Sequence, residues 1–223
     1  RNRRLQEGLS GAGEGSFTGA GLFGTTELKN TAVHTEVNLP ISGFMEQVLT
    51  VGAEWVEQRM DDPFSNVQST DEAGSLPDVG SGNRSTESSA RIASLFIEDN
   101  IEVRPGTIVT PGLRFDRHSI VGDNWSPSLN LSHALGGGFT LKAGIARAYK
   151  APNLYQLNPN YVLYSRGQGC WGGGSCYLQG NDSLDAETSV NKELGIEFSQ
   201  NGVVAGITYF RNDYKNKIVA GTD

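Results

Sequence analysis

The chain has 223 residues, enough for one large domain or two small ones. Its formal net charge of −7 argues against nucleic acid as a partner. Hydrophobic residues make up 37% of the composition, and no apolar run is long enough to predict a transmembrane helix. A membrane protein built from β-strands remains compatible with these values, because such strands carry apolar residues at every second position.

The chain opens with a polar, glycine-rich stretch, residues 1–24, which predicts a loop. Several arginines there precede a run of glycines whose backbone N–H groups could approach an anion closely. Arg4 and Gly11 are therefore candidate anion contacts, and a solvated loop is the alternative. No apolar signal segment and no terminating feature mark the ends, so we expect both to be cut from a longer protein.

Apolar and polar residues then alternate with period two along most of the chain. Residues 109–116, Val-Thr-Pro-Gly-Leu-Arg-Phe-Asp, are one example. This pattern is typical of strands with two different faces. We predict eight strands, near residues 26–41, 45–61, 89–103, 107–121, 126–135, 139–149, 186–200 and 203–219.

The predicted connections alternate between tight turns and mostly longer loops. The tight turns, each containing glycine, are residues 42–44, 104–106, 136–138 and 201–202. The other connections are residues 62–88, 122–125 and 150–185. Short turns at one rim and mostly long loops at the other are the layout of a bacterial outer-membrane β-barrel.

A soluble antiparallel sandwich would show the same alternation, with the apolar face as its core. The barrel is favoured because several predicted strands exceed the roughly 9–11 residues needed to cross a bilayer. We expect an arc of a larger barrel, with residues 1–223 forming part of one barrel domain. Its predicted inward face suits a watery lumen or a polar plug, since it carries Glu54, Glu98, Arg114, Asp116, Glu193 and Glu197.

Several motifs resemble the barrel domain of TonB-dependent siderophore receptors. Two of them are Gly-Asp-Asn-Trp-Ser-Pro-Ser-Leu-Asn-Leu at 122–131 and Gly-Ile-Ala-Arg-Ala-Tyr-Lys-Ala-Pro-Asn at 144–153. Residues 154–170, 187–195 and 209–217 are similar, more narrowly, to the ferric enterobactin receptors of Gram-negative bacteria. The resemblance implies an all-β fold, a transmembrane antiparallel barrel of 22 strands in the outer membrane. This chain would supply about eight of those strands, without the plug domain and TonB box.

The resemblance also implies a function, the import of ferric enterobactin or a related ferric catecholate siderophore with energy supplied by TonB. The TonB complex would act through the N-terminal region that this chain lacks. Fe(III) travels inside the siderophore, so neither a cofactor nor a protein-bound metal is expected. Outer-membrane lipid and lipopolysaccharide are the other expected partners. The alternative functions are a passive porin or adhesin barrel and a soluble glycan-binding β-sandwich.

A ferric catecholate is a trianion with aromatic edges, and its recognition requires cations, hydrogen-bond donors and ring surfaces. Tyr164, Arg166 and Gln168 supply these groups within the longest predicted connection. In the resembled family, extracellular loops of this kind bind the ferric complex, so we predict that these three residues contact the siderophore. Ordinary solvation or packing of loop side chains is the alternative interpretation.

Cys170 and Cys176 lie in the same connection, with five residues between them. They are either two free thiols or a disulfide, and an oxidising compartment would favour the disulfide. Zinc is not expected, because no second Cys pair or His pair lies near. The three histidines share no motif and the carboxylates form no recognisable acid/base pair, so we predict no enzyme.

Overall fold

The structure is a computed structural model that describes residues 2–6, 22–62, 85–165 and 176–219. Every regular element in these ranges is a β-strand. Across the same ranges, no helix has the length and apolarity needed to span a membrane. The strands are β1 (Asn2–Gln6), β2 (Leu22–Ile41), β3 (Glu46–Asp61), β4 (Glu87–Arg104), β5 (Thr107–His118), β6 (Gly122–Gly136), β7 (Phe139–Lys150), β8 (Val162–Ser165), β9 (Cys176–Gln179), β10 (Glu187–Gln200) and β11 (Val203–Lys215).

Nine strands form one antiparallel sheet in the order β1-β2-β3-β4-β5-β6-β7-β10-β11. Strands that follow one another in the chain are therefore neighbours, except where β8 and β9 form a separate two-stranded hairpin between β7 and β10. The sheet is open, with β1 and β11 at its edges. The eight predicted strands are confirmed as β2 to β7, β10 and β11, and the all-β prediction is confirmed with them.

The structure corrects the predicted opening loop. Backbone pairing between β1 and β2, from Asn2↔Thr26 to Gln6↔Leu22, places strand residues on both sides of the glycine run. The prediction of a loop over 1–24 was wrong at these positions, because ladder hydrogen bonds to a neighbouring strand outweigh a polar, weakly alternating sequence.

A second correction concerns the predicted connection 122–125, which is part of β6. The actual turn is residues 119–121, held by His118, whose Nδ1 accepts the backbone N–H groups of Ile120 and Val121 at 3.1 and 3.2 Å. Gly122 then enters β6 with φ of +80°, a backbone conformation that L side chains rarely adopt. A single imidazole thus satisfies two backbone donors of this short turn.

The predicted tight turns between β6 and β7 and between β10 and β11 depend on left-handed backbone. Gly136, Gly137 and Gly138 have φ of 88°, 60° and 84°. Asn201 and Gly202 have φ of 54° and 78°, the two positive values that a two-residue hairpin turn of the Asn-Gly type requires. These turns confirm the short-turn rim of the sheet.

The apolar face of the sheet is exposed. Val37, Val51, Ile97 and Leu113 pair directly across β2 to β5 and so lie in one row of one face. Their exposed fractions are 53%, 42%, 44% and 39%, and no second layer of the described structure covers them. A contiguous apolar surface of this kind excludes the β-sandwich interpretation, in which these residues would be core, and fits contact with lipid.

Candidate functional site

The segment that follows β7 folds back across the polar face of the sheet. Leu154, 6% exposed, packs in one cluster with Met60 of β3 and Ala90 of β4. These strands lie three and four positions away from β7 in the sheet order. Residues 151–161 therefore span the inward face at the long-loop rim.

Polar contacts hold this segment in the same place. The Tyr155 hydroxyl donates to Asp62 Oδ2 at 3.1 Å, and Asn158 Nδ2 donates to Ser88 Oγ at 2.6 Å. The Tyr155 ring also lies against Tyr161, with 4.5 Å between centroids. Hydrophobic burial and hydrogen bonds together attach the base of the loop to the ends of β3 and β4.

The two arms of the loop are joined to each other above this base. Gly180 N–H donates to Tyr161 O at 3.1 Å, and Asn181 N–H donates to Gln156 O at 2.7 Å. A Cβ at Gly180 would lie 2.1 Å from Asn158 O, so only glycine allows this approach. Beyond these contacts, β8 and β9 pair from Val162↔Gln179 to Ser165↔Cys176.

The predicted siderophore contacts belong to this hairpin. Tyr164 lies in β8 opposite Tyr177. Arg166 and Gln168 lie outside the described residues, within the 166–175 connection between β8 and β9. Their role as siderophore contacts stays a prediction, and the structure adds an anchored base beneath the segment that carries them.

The other candidate contacts are far from the hairpin in sequence. Arg4 lies in β1 opposite Gly24. Gly11 lies outside the described residues. Both stay predictions.

The described residues do not support the predicted disulfide. Cys176 is the first residue of β9, and Cys170 lies outside the described part of the chain. The pairing stays a prediction. Within the described ranges, no group of three His, Cys, Asp or Glu side chains is placed to hold a metal ion.

Part of the predicted inward charge forms a network on the wall below the loop. Arg114 Nε donates to Asp116 Oδ1 at 2.7 Å, and Arg114 Nη2 donates to Ser94 Oγ at 2.8 Å. Ser94 Oγ donates in turn to Asp116 Oδ1 at 2.6 Å, and Arg114 Nη1 lies 3.4 Å from Glu54 Oε2. Asp116 is 4% exposed, so these partners, in place of water, supply the hydrogen bonds of its carboxylate.

An aromatic stack adjoins the network. Phe96 stacks on His34 with 5.6 Å between centroids, and Arg114 Cζ lies 5.9 Å from the centre of the same ring. The ring covers Gly52, where a Cβ would lie 2.1 Å from Phe96 Cζ. Packing against Phe96 therefore requires glycine at this position in the middle of β3.

A cavity of about 450 Å³ opens beside this wall and is lined by Glu54, Arg114, Asp116, Arg147 and Tyr149, among others. Two guanidinium groups face two carboxylates, so the cavity offers no excess positive charge to a trianion. Within the described residues, the Tyr149 hydroxyl has no hydrogen-bond partner. The wall is suited to contact with a polar protein surface or with water.

Sequence reasoning missed the residues that anchor the loop. Leu154, Asn158 and Gly180 lie in a polar stretch without periodicity, so nothing in the pattern marks them as buried. A signal was present in Asn153 and Gln156, whose side chains cap each other's backbone N–H groups at 2.8 and 2.9 Å in the manner of a capping box. That spacing indicates a local turn, but it does not predict that the segment crosses the sheet to reach β3 and β4.

Comparison with known proteins agrees with this architecture. The family described as "TonB dependent receptor-like, beta-barrel" matches residues 2–223. The chain is 66% identical to the ferric enterobactin receptor of Pseudomonas aeruginosa over 99% of its own length and 30% of that protein's. It is 57% identical to the ferrienterobactin receptor of Escherichia coli K12 over 99% of its length and 30% of the relative's.

Solved structures show the same likeness. A crystal structure of a mutant of the P. aeruginosa receptor PfeA in complex with enterobactin matches with a TM-score of 0.88 and 65% identity. The match covers 99% of this chain and 32% of that one, so the chain spans about a third of the receptors that it resembles. These relatives are receptors of the Gram-negative outer membrane, and the strands with their exposed apolar face belong to that membrane. The chain is a member of the TonB-dependent receptor β-barrel family.

Proposed function

We propose that the protein containing this chain imports ferric enterobactin, or a closely related ferric catecholate, across the outer membrane with energy from the TonB complex. The observation that carries the proposal is the anchored loop, whose base packs on Met60 and Ala90 and whose hairpin contains Arg166 and Gln168. The relatives named as ferric enterobactin receptors support the same ligand. The chain itself acts as a receptor segment without catalytic chemistry.

The charge distribution supports siderophore binding by the loop and not by the cavity in the wall. In the wall cavity, the positive charges of Arg114 and Arg147 are matched by the negative charges of Glu54 and Asp116. The cavity therefore offers a trianion no net positive charge to bind. Arg166 would supply the positive charge and Tyr164 a ring surface at the entrance. A cation over an aromatic ring contributes roughly 0.5–2 kcal/mol, and a few such contacts together would give tight binding. Restraint of the hairpin by its base would reduce the conformational entropy lost on binding.

Binding of ferric enterobactin to the purified full-length receptor, followed by tryptophan fluorescence quenching, tests this proposal. Arg166→Ala should weaken binding by roughly 3- to 30-fold, and Gln168→Ala by a few-fold, since a neutral hydrogen bond contributes about 1 kcal/mol. Arg104→Ala, at the opposite rim of the sheet, is the matched control and should bind normally. Unchanged affinity in both loop variants would contradict the assignment.

The anchoring role of the loop base has its own test. Leu154→Ala should loosen residues 151–165, speed proteolysis of this loop and weaken siderophore binding, while the barrel itself stays folded. Leu135→Ala, at a 52% exposed position near a tight turn, is the control. If Leu154→Ala leaves both proteolysis and affinity unchanged, the base does not position the binding segment.

The TonB requirement is tested in cells. Cells lacking TonB should bind the ferric siderophore at their surface yet fail to accumulate iron from it. Accumulation at the normal rate without TonB would support the passive porin interpretation instead.

A further inference from the structure

One carboxylate interrupts the outward apolar face of the sheet. Asp99 of β4 lies directly opposite Leu49 of β3, in the row next to the one that joins Val51 to Ile97. By alternation its side chain is therefore on the lipid-facing side. The outward residues of β4 on either side of it are apolar: Leu95, Ile97, Ile101 and Val103. An ionisable side chain at membrane depth is costly and commonly marks a functional site.

Asp99 finds no hydrogen-bond donor within the sheet. Its Oδ1 is buried and has no partner among the residues that the structure describes, and the residue as a whole is half-buried. The outward residues around it have no side-chain donor to offer: Leu49, Ile97, Ile101 and Pro111. A donor for this carboxylate must therefore come from the side that faces lipid.

The backbone at Asp99 also lacks a donor. The pairing between β4 and β5 is interrupted at residues 99 and 100 of β4, although it continues on both sides of them. In this register Asp99 lies opposite Pro111, which has no N–H to donate to the Asp99 carbonyl. Proline is rare in the interior of a sheet for this reason. The carboxylate and the carbonyl of Asp99 beside Pro111 thus form a notch that has acceptors and no donor, which we call the Asp99 notch.

The Asp99 notch lies closer to the short-turn rim than to the long-loop rim. Arg104, the last residue of β4 before the tight turn, is five residues away, and Glu87 at the other end of the strand is twelve away. Five residues of a tilted strand rise by about 13 Å. Short turns of an outer-membrane barrel face the periplasm. The notch therefore lies in the inner leaflet, where acyl chains approach the head groups.

A second polar side chain lies between the notch and the short-turn rim. Gln47 of β3 is directly opposite Ile101, so it is on the same outward face and one row closer to the turns. Its amide offers two N–H donors. An acceptor deeper in the face and a donor nearer the rim match a lipid head group that contains both an ammonium and a phosphate.

We propose that the Asp99 notch and Gln47 bind the head group of phosphatidylethanolamine in the inner leaflet. The ammonium group donates to the carboxylate and carbonyl of Asp99, and the Gln47 amide donates to the phosphate. A primary ammonium has three N–H donors and no acceptor, which complements the notch, and its hydrogen bond to a carboxylate is charge-assisted. The trimethylammonium group of phosphatidylcholine has no N–H and cannot replace it. This site lies on the face of the sheet opposite the siderophore path.

The test compares phosphatidylethanolamine with phosphatidylcholine by native mass spectrometry of the full-length receptor released from mixed-lipid nanodiscs. The receptor should retain phosphatidylethanolamine in preference. Asp99→Asn should reduce that preference about tenfold, because it removes a hydrogen bond between charged groups. Glu98→Gln is the control, since it alters a carboxylate one residue away on the inward face, and it should leave the preference unchanged. Equal retention of the two lipids by the unaltered receptor would overturn the proposal.

Two further variants separate lipid binding from folding. Asp99→Glu keeps the carboxylate and should keep most of the preference. Pro111→Ala supplies the missing N–H, so the Asp99 carbonyl gains a ladder donor and the preference should fall a few-fold while the receptor stays folded. If Asp99→Asn lowers the retention of both lipids equally, or converts a dimer to a monomer, the effect belongs to folding or to a protein partner and the proposal is overturned. An unchanged preference in both Asp99→Asn and Pro111→Ala would also overturn it.

Discussion

The two faces of strands β2 to β5 are built on different principles. On the outward face, Val37, Val51 and Ile97 are apolar but half exposed, and neighbouring rows differ in side-chain size. On the inward face, Phe96 fills the space above Gly52, and Arg114 joins Glu54, Ser94 and Asp116. Lipid adapts to any apolar shape, so the outward face requires only that its side chains be apolar. The inward face requires side chains whose shapes and hydrogen-bonding groups fit one another.

The largest difference between the faces is expected for a charge in the membrane. Val51 lies at the centre of the outward apolar positions of β3, and Val51→Arg should cost about 2–4 kcal/mol of folding free energy near the bilayer midplane. Thr50→Arg places the same charge one residue away on the inward face and should cost far less. Unfolding of the receptor in lipid vesicles measures both. Equal costs would mean that both faces meet water.

Steric fit should show the reverse asymmetry. A Cβ at Gly52 would lie 2.1 Å from Phe96 Cζ, so Gly52→Ala should destabilise by about 1–3 kcal/mol through overpacking. Gly206→Ala is the matched control on the same face, because its Cβ would lie 3.5 Å from Ile196 O. The apparent melting temperature in detergent should fall for the first variant and hold for the second. Phe96→Leu should partly rescue Gly52→Ala, and the absence of any coupling would refute the packing argument.

The strands were predictable from sequence because period-two alternation is a local signal. It located the strands carrying Val37, Val51 and Leu113, and the glycine-containing turns such as Asn201-Gly202 set the order of pairing. The outward orientation of the apolar set followed from strand length and loop asymmetry.

The loop base was not predictable, because it depends on contacts distant in sequence. Leu154 meets Met60 and Ala90 only after four strands have brought them to the same face. The short strands β8 and β9 likewise offer four residues each, too few for alternation to be read. Alternation assigned Arg114 and Asp116 to the inward face. Their contacts with Ser94 and Glu54 could be identified only from the register of the paired strands.

The inward network should depend on every member. Arg114→Met would leave the carboxylate of Asp116, 4% exposed, without its charged partner and should cost about 1–3 kcal/mol. Arg114→Met/Asp116→Asn removes both charges and should recover part of the loss. Chemical unfolding in detergent micelles measures the cycle. A double variant no better than the sum of its parts would show that the two charges do not stabilise each other.

The smallest effects should come from ion pairs of equal exposure on opposite faces. Lys142 and Glu197 face inward with side chains 54% and 42% exposed, and Lys192 and Asp213 face outward at 49% and 41%. Solvent screens both pairs, so Lys142→Met and Lys192→Met should leave the melting temperature in detergent unchanged within error. A clear loss in only one of them would show that the face itself, and not burial, decides what a charge contributes. If neither variant changes the melting temperature, the difference between the two faces is confined to lipid contact, as at Val51, and tight packing, as at Gly52.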